Sequence, residues 1–347
     1  MSLIAYMKDY MSRMFSEVDG MKALLLDEDT TGMVSMVLGE SDNLERDVFL
    51  TRKLSAFAEH GLAEGGSKQE ELHHLKGVVF VRPSESSISH LEALLRSPPF
   101  AEIYIFFSST VRPEILSRLA GADQYEVVRG LHEFYGDVFA INHDLFSLEV
   151  PNTRHLMLNP ASDHTGLVRI VDGILSACLL PKIVPTIRYQ GSSIICRNLA
   201  ETLSKRIDSL SASAIFEGKS AEGESLLLIL DRREDPVTPL LTQWTYQAMV
   251  HELLGVNKNL VDLTESVKKR MEEETKEAKK LPRVDQRVFV LAPEQDSFFK
   301  KTMFLNYGDL GFSVKELVEQ YQKSSDSARK IESIGIASSN LLLTSVS

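Results

Sequence analysis

Two carboxylates at the end of a short apolar run are the residues in this sequence best placed to do chemistry. The run Ser225–Leu230 has the length and composition of a buried strand, and Asp231 and Asp235 follow it closely. Two carboxylates at the carboxyl end of a strand can hold Mg²⁺ for phosphoryl transfer. A metal-dependent phosphotransfer site is therefore one interpretation of this segment.

The same acidic segment also has a structural interpretation. Asp231 can accept hydrogen bonds from loop amides that the ending strand leaves unpaired, and Arg232 and Arg233 between the acids can neutralise them. Pro236 and Pro239 fix the backbone where a helix is about to begin. On this interpretation the segment forms a rigid corner between two buried elements.

The residues after this corner favour the structural interpretation. Thr238 is placed to cap a helix, predicted over Leu241–Leu254. That stretch contains Trp244 and is apolar on nearly every side, which predicts a buried helix. No second cluster of catalytic residue types lies nearby, so we expect a scaffold rather than an active site.

Other motifs with chemical potential fail on their spacing. The stretch "HELLG" at His251–Gly255 lacks the second histidine that a zinc site on one helix face requires. The stretch "EGKS" at Glu217–Ser220 lacks the earlier glycine of a phosphate-binding loop, because position 213 is Ser213. His73 and His74 precede a predicted strand among charged residues, which indicates a solvated turn. No metal or cofactor is therefore predicted.

Composition limits the class of protein. The chain has 347 residues, 43% hydrophobic and 25% charged, as in soluble globular proteins, and its formal net charge of -11 argues against a nucleic-acid-binding surface. Only Cys178 and Cys196 are present, so neither a disulfide framework nor a thiolate metal site is expected. Lysine and arginine interrupt the N-terminal apolar residues, and no stretch approaches the ~18 apolar residues that cross a bilayer. A cytoplasmic protein that reaches membranes only through a partner is predicted.

Strands and helices alternate over the first part of the chain. Apolar runs at Met21–Asp27, Leu75–Pro83 and Ala101–Ser109 are typical of buried parallel strands. Helices are predicted between and after them, over Ser86–Leu95, Pro113–Ala120 and Tyr125–Phe134, with a further strand in "GDVFAIN". An N-terminal helix is also predicted, in which Met7, Met11 and Met14 recur at helical spacing and are expected to pack in the core. This pattern predicts an open, mostly parallel α/β domain over residues 1–140.

The remainder of the chain divides into two further predicted parts. Two helices and the strand at Ser225–Leu230 indicate a second α/β unit over residues 141–256. Residues 257–347 contain a charged run at Glu265–Lys280, typical of a solvated helix, then a strand in "RVFVLA" and a helix in "SVKELVEQYQK". The serine-rich final stretch has little periodicity, and a chain truncated within a third domain is the expectation.

Six segments together resemble one family. They are "LLLILDRREDPVTPLLTQWTYQAMVHELLG" at Leu226–Gly255, "GMKALLLDEDTTGMVSMV" at Gly20–Val37, "FVRPS" at Phe80–Ser84, "EVVRGLHEFYGD" at Glu126–Asp137, "IRYQ" at Ile187–Gln190 and "FFKKTMFLNYGDLG" at Phe298–Gly311. In their order along the chain these segments resemble the SM family, the syntaxin-binding regulators of SNARE-mediated membrane fusion. The resemblance is strongest to the branch that serves trans-Golgi and endosomal traffic, and it ends after "KIES".

The resemblance implies a non-enzymatic, monomeric protein with no cofactor and no direct membrane insertion. It implies a three-domain arch: an α/β first domain, an α/β second domain that lacks its C-terminal part here, and only the beginning of a mainly helical third domain. The implied partners are a Qa-SNARE of the syntaxin family and the assembling SNARE complex, whose helices the third domain helps to hold. Recruitment to Golgi or endosomal membranes would then occur through syntaxin, and a passive coat or tether scaffold is the alternative.

The resemblance also implies a pocket for a short N-terminal syntaxin peptide on the first domain. The positions that match are Leu116, Val127, Val128, Leu131 and Glu133. On the predicted helix Val127, Leu131 and Phe134 share one face by i, i+4, i+7 spacing, and Leu116 is placed to close the groove from the adjacent predicted helix. Glu133 is placed to receive a basic group or amide of the peptide. The alternative is that Val127 and Leu131 only pack onto the sheet.

Overall fold

The computed structural model describes residues 3–60, 72–150, 164–211, 225–257, 259–263, 288–293 and 296–344. The chain forms two compact units, Met1–Glu234 and Asp235–Ser347. The division between them falls inside the segment 141–256 that the sequence assigns to a second domain. The predicted boundary at residue 140 stays a prediction.

A five-stranded parallel sheet forms the centre of the first unit. Its strands lie in the spatial order β2-β1-β3-β4-β5. They are β1 (Lys22–Leu26), β2 (Val48–Lys53), β3 (Lys76–Val81), β4 (Ile103–Phe107) and β5 (Val128–Glu133). The predicted α/β fold with an open parallel sheet is confirmed.

Helices cover both faces of this sheet. They are α1 (Leu3–Ser16), α2 (Glu28–Val37), α3 (Glu40–Leu44), α4 (Leu54–His60), α5 (Glu85–Arg96) and α6 (Pro113–Ala122). One apolar core lies between α1, α2 and the first face, and a second lies between α4, α5, α6 and the opposite face. Met7, Met11 and Met14 of α1 are fully buried, which confirms that they pack in the core.

The helix predicted over Tyr125–Phe134 is wrong, because this stretch forms β5. The backbone of Val127 accepts a hydrogen bond from the amide of Ile103 at 2.8 Å, and the Phe134 amide donates to the Phe107 carbonyl at 2.6 Å. Adjacent β-branched valines favour an extended chain, and Gly130 weakens a helix. Pairing with β4 therefore outweighs the helical spacing of the apolar residues.

The first unit continues with a smaller α/β layer. Of the predicted strand "GDVFAIN", only β6 (Phe139–Ala140) forms, and it pairs in antiparallel with β7 (Phe146–Ser147). The elements that follow are α7 (His164–Leu179), β8 (Thr186–Tyr189), α8 (Ile194–Ser211) and β9 (Leu226–Ile229), in which β8 and β9 are parallel. Apolar side chains of the two helices and β9 form a third core.

The second unit is built from short elements and one long helix. They are α9 (Tyr246–Leu253), β10 (Leu260–Asp262), β11 (Val288–Val290), α10 (Ser297–Thr302) and α11 (Tyr307–Thr344), with β10 and β11 antiparallel. The final stretch, in which the sequence shows little periodicity, lies largely within α11. The charged run Glu265–Lys280 lies outside the described residues. Among the helices of the described part, none is long and apolar enough to cross a membrane.

The apolar helix after the two prolines is not buried, contrary to the prediction: residues 246–250 are half-buried and residues 251–253 are exposed. It is also shorter than predicted, since α9 covers only Tyr246–Leu253. Trp244 is 68% exposed, and Leu240, Leu241 and Leu253 are also exposed. An apolar composition predicts burial only where another element covers the helix, and the helical pattern by itself does not supply that element.

Buried ion pairs occupy the carboxyl ends of the central strands, where open α/β sheets commonly bind ligands. Asp137 is fully buried, and its Oδ1 lies 2.8 Å from Nη2 of Arg82 and 3.1 Å from Nη2 of Arg169. Nη1 of Arg82 also lies 2.6 Å from Asp29. Asp27, at the end of β1, accepts from the Arg82 amide at 2.8 Å and caps α2. Protein charges thus pair with one another at this edge of the sheet.

We expect Asp137→Asn to destabilise the first unit by about 3 kcal/mol, because it removes the buried charge that neutralises two arginines. The midpoint of urea unfolding measures this loss. Asp144→Asn is the matched control, since Asp144 is exposed and lies 3.6 Å from Nε2 of His143, a surface contact worth about 0–1 kcal/mol. Equal effects of the two substitutions would contradict the prediction.

Candidate functional site

The last strand of the parallel sheet carries the residues that the family resemblance singles out. β5 is the outermost strand beside β4, and Leu131 pairs with Ile105. Paired residues of parallel strands point to the same face, and Ile105 belongs to the core covered by α4, α5 and α6. Leu131 therefore lies on the face that α6 covers, at the edge of the sheet.

Leu116 and Leu131 are both exposed on this face. Leu116, in the first half of α6, is 38% exposed and Leu131 is 37% exposed, whereas Leu119 and Ala122 of α6 are buried against the sheet. We call the surface made by Leu116, Val127, Val128, Leu131 and Glu133 the edge groove. Its two leucines present apolar side chains to solvent beside a backbone edge. The helical spacing predicted for Val127 and Leu131 is wrong, because this stretch is a strand, yet the strand brings both residues to the layer that α6 covers.

The valines of the edge groove have a different role from its leucines. Val127 is buried and Val128 is half-buried, and both belong to the core beneath α6. The carboxylate of Asp123 accepts from the Val127 amide at 3.0 Å and from the Val128 amide at 3.1 Å. Asp123 thereby fixes the connection between α6 and β5. Sequence reasoning missed it, and its only signal is an aspartate just after a predicted helix.

Glu133 is held by the protein on both of its oxygens. Its Oε1 accepts from the Val111 amide at 2.8 Å, and its Oε2 accepts from the Tyr135 hydroxyl at 3.1 Å. Burial raises the pKa of the Tyr135 hydroxyl, against a hydrogen bond from Thr110 that lowers it, so the hydroxyl remains a donor at neutral pH. The predicted role of Glu133 in binding a peptide stays a prediction. Its observed bonds hold the loop that leads into α6.

Salt bridges fix α6 on its other side. Arg118 of α6 donates to Glu92 of α5 at 2.7 Å and to Glu85 at 2.8 Å. These pairs are exposed, so each contributes little to stability, but both restrict the position of α6 over the sheet. The edge groove is therefore formed between a fixed helix and a fixed strand.

The acidic corner after β9 is a structural junction. Asp231 Oδ2 accepts from Ser193 Oγ at 2.6 Å, and the Asp231 amide donates to Gln190 Oε1 at 3.0 Å. Ser193 Oγ in turn accepts from the Cys196 amide at 3.3 Å at the start of α8. Arg233 donates from Nη2 to Asp231 Oδ2 at 2.7 Å and from its amide to Oδ1 at 3.0 Å. The predicted bonds from a loop amide and an arginine are confirmed.

The other acid of the corner serves a separate turn. Asp235 Oδ1 accepts from the Thr238 amide at 3.1 Å, and Pro239 lies in a 3₁₀ turn over Thr238–Leu240. Thr238 does not cap the following helix, because that helix begins later, after Thr245. Within the described residues, no group of three or more His, Cys, Asp or Glu side chains is placed to hold a metal ion.

The hydrogen bonds at the corner act directly on the titration of Asp231. Donation from Arg233 and then from Ser193 holds the pKa of the Asp231 carboxyl well below its usual range. The carboxylate is therefore ionised throughout the physiological range. An ionised group whose oxygens are engaged by protein donors is suited to holding a corner in place.

Comparison with known proteins agrees with this architecture. The Sec1 family model matches residues 22–342, which include the parallel sheet, the edge groove and the corner, and the chain belongs to the Sec1 family. Vacuolar protein sorting-associated protein 45 of Dictyostelium discoideum is 37% identical over 335 residues, covering 96% of this chain and 54% of that protein. The human protein of that name is 37% identical over 338 residues, with the same two shares.

A solved structure of the SM protein Vps45 in complex with the Qa SNARE Tlg2 is also similar. It superimposes with a TM-score of 0.78 at 37% identity, covering 94% of this chain and 55% of that one. The chain thus spans about half the length of the relatives it matches. The family resemblance seen in the sequence is confirmed.

We expect Asp231→Asn to destabilise the first unit by about 1–2 kcal/mol at neutral pH, because it weakens charge-assisted bonds from Arg233 and Ser193. The folded pKa of Asp231 lies below the unfolded value of about 3.9, so this stabilisation is present above that value and is lost as the pH falls further. Unfolding midpoints measured from pH 7 down to acid should therefore converge for the two proteins.

Asp235→Asn is the matched control for the corner, since an asparagine can still accept from the Thr238 amide. We expect it to change stability by less than about 0.5 kcal/mol. A constant difference between wild type and Asp231→Asn at every pH would contradict the assigned role of the carboxylate.

Proposed function

We propose that the protein is a non-enzymatic regulator of SNARE-mediated vesicle docking and fusion in trans-Golgi, endosomal or vacuolar transport. It binds a Qa-SNARE of the syntaxin family through the N-terminal peptide of that SNARE and promotes SNARE assembly. The observation that carries this proposal is a pair of exposed leucines: Leu131 on the outermost strand of the sheet, and Leu116 on the helix that covers the same face. The similarity to Vps45, which was solved with the Qa SNARE Tlg2, supports the choice of partner.

The geometry of the edge groove suits a short peptide. An apolar side chain of the peptide covers both leucines, which removes apolar surface from water at about 25 cal/mol per Å². The surrounding helix and strand are fixed by Arg118 and Asp123, so little ordering is needed on binding. The proposed protein is cytoplasmic, and its place on Golgi or endosomal membranes follows from the membrane-anchored partner.

Leu116→Arg is expected to weaken binding of a fluorescent Tlg2 N-terminal peptide at least about thirtyfold. The substitution puts a charge where an apolar side chain has to be buried, at a cost of about 2 kcal/mol or more. Fluorescence anisotropy measures the dissociation constants. Leu44→Arg is the control, because Leu44 is also exposed but lies in α3, beside the opposite edge strand of the sheet.

Two outcomes of this titration would contradict the proposal. Absence of saturable binding by the wild-type protein would contradict the partner. Equal binding by wild type and Leu116→Arg would contradict the edge groove as its site. A pulldown from cytosol distinguishes this proposal from the passive coat or tether alternative, which predicts complexes that lack any syntaxin.

Magnesium and ATP are expected to give no binding heat and no shift in melting temperature. Both oxygens of Asp231 accept hydrogen bonds from Arg233 or Ser193, and Asp235 accepts from the Thr238 amide, so a metal would have to displace protein donors. Isothermal calorimetry and a thermal melt measure this. A saturable binding heat for magnesium and ATP that is lost in Asp231→Asn would support the phosphotransfer interpretation instead.

A further inference from the structure

The loop between β4 and α6 is held by hydrogen bonds from two directions. On one side, the Val111 amide donates to Glu133 of β5 at 2.8 Å. On the other side, Nη2 of Arg206 donates to Oγ1 of Thr110 at 3.0 Å. Arg206 lies on α8, far along the chain from both β5 and α6. The segment that starts α6, and with it Leu116, is thus tied to an element outside the central sheet.

Arg206 is itself restrained by a second partner. The same Nη2 lies 3.0 Å from Oδ1 of Asp172, a mostly buried residue of α7. An arginine that bridges a carboxylate and a hydroxyl has fewer accessible positions than one held at a single point. The loop is therefore connected through Arg206 to both α7 and α8.

The hydrogen bonds of Arg206 and Glu133 meet on adjacent residues of this loop. Arg206 donates to the Thr110 hydroxyl, and the next residue, Val111, donates its amide to Glu133. The Tyr135 hydroxyl donates to the other oxygen of Glu133 at 3.1 Å, which holds that carboxylate in place. We call Arg206, Thr110, Tyr135 and Glu133 the donor chain.

The donor chain ends on the carboxylate that positions the start of α6. Glu133 holds Val111, which is followed closely by Pro113 at the first turn of the helix that carries Leu116. Glu133 also belongs to the strand that carries Leu131. A change at Arg206 therefore alters the restraint between the two leucines without touching either of them.

We propose that Arg206 and Thr110 are positioning residues for peptide binding, which set the spacing of Leu116 and Leu131 and couple the edge groove to α7 and α8. This inference rests on the proposed function, since it takes the edge groove to be a peptide site. Coupling of this kind is reciprocal, so a bound peptide also stabilises the contact between Arg206 and the loop.

Anisotropy titrations with the fluorescent Tlg2 N-terminal peptide test the donor chain. Thr110→Val and Arg206→Met each remove one link while keeping side-chain volume, and each is expected to weaken binding about three- to tenfold. The double variant is expected to have the same dissociation constant as the single variant that binds the peptide less tightly, because both substitutions act through the donor chain. Thr110→Ser keeps the hydroxyl and is expected to restore wild-type affinity.

Arg197→Met is the matched control, because Arg197 is an exposed arginine earlier on the same helix. It is expected to leave affinity unchanged. Urea midpoints of all variants separate stability from binding: a purely structural role for the chain predicts lower midpoints with unchanged dissociation constants, and that result would overturn the inference.

The remaining outcomes separate the two proposals. If neither wild type nor Arg197→Met binds the peptide, the proposed function fails. If both bind and Thr110→Val and Arg206→Met bind equally well, the donor chain fails while the proposed function stands. Thr110→Ser binding as weakly as Thr110→Val would also overturn the role of the hydroxyl.

Discussion

The first unit depends on a single buried carboxylate, Asp137. A charge without solvent contact is tolerated only when opposite charges and hydrogen bonds surround it, and here Arg82 from the end of β3 and Arg169 from α7 supply them. Burial lowers the pKa of the Arg169 guanidinium, and the nearby Asp137 carboxylate opposes that shift. The pairing fixes α7 against the carboxyl edge of the sheet, and it fills the position where such sheets commonly bind small ligands.

A second constraint acts at the outermost strand. As the outermost strand, β5 pairs with β4 on one side only, and its last three residues, Leu131, His132 and Glu133, are all exposed. Val127 is buried in the core, whereas Leu131 is exposed, and Leu116 of α6 is exposed on the same face. Asp123 and Glu133 then fix the helix and strand relative to each other. Apolar surface on a fixed frame is the physical basis of a binding groove, as opposed to a catalytic cleft.

The acidic corner and the edge groove use their carboxylates in the same way. Asp231 joins the end of β9 to the start of α8 through Ser193, and Glu133 joins the end of β5 to the start of α6 through Val111. In both places a carboxylate at a strand end satisfies a hydroxyl or amide donor of an earlier segment of the chain. Such bonds fix the angles between helices and strands. A protein that presents a binding surface to a partner, as proposed above, depends on these angles and needs no reactive groups.

The sequence alone determined the parallel α/β class, the buried methionines of α1 and the family, because apolar periodicity and long runs of matching residues are local properties of the chain. The family resemblance also pointed to Leu116 and Leu131, although the helix predicted to carry Leu131 does not form. Only the tertiary structure decided that Val128–Glu133 is a strand, since pairing with β4 outweighs local spacing. It alone brought Arg206 to Thr110 and Asp137 to Arg169, because such partners are distant in sequence and no local pattern encodes them. It also left α9 without a fully buried residue, since burial depends on which elements cover a helix.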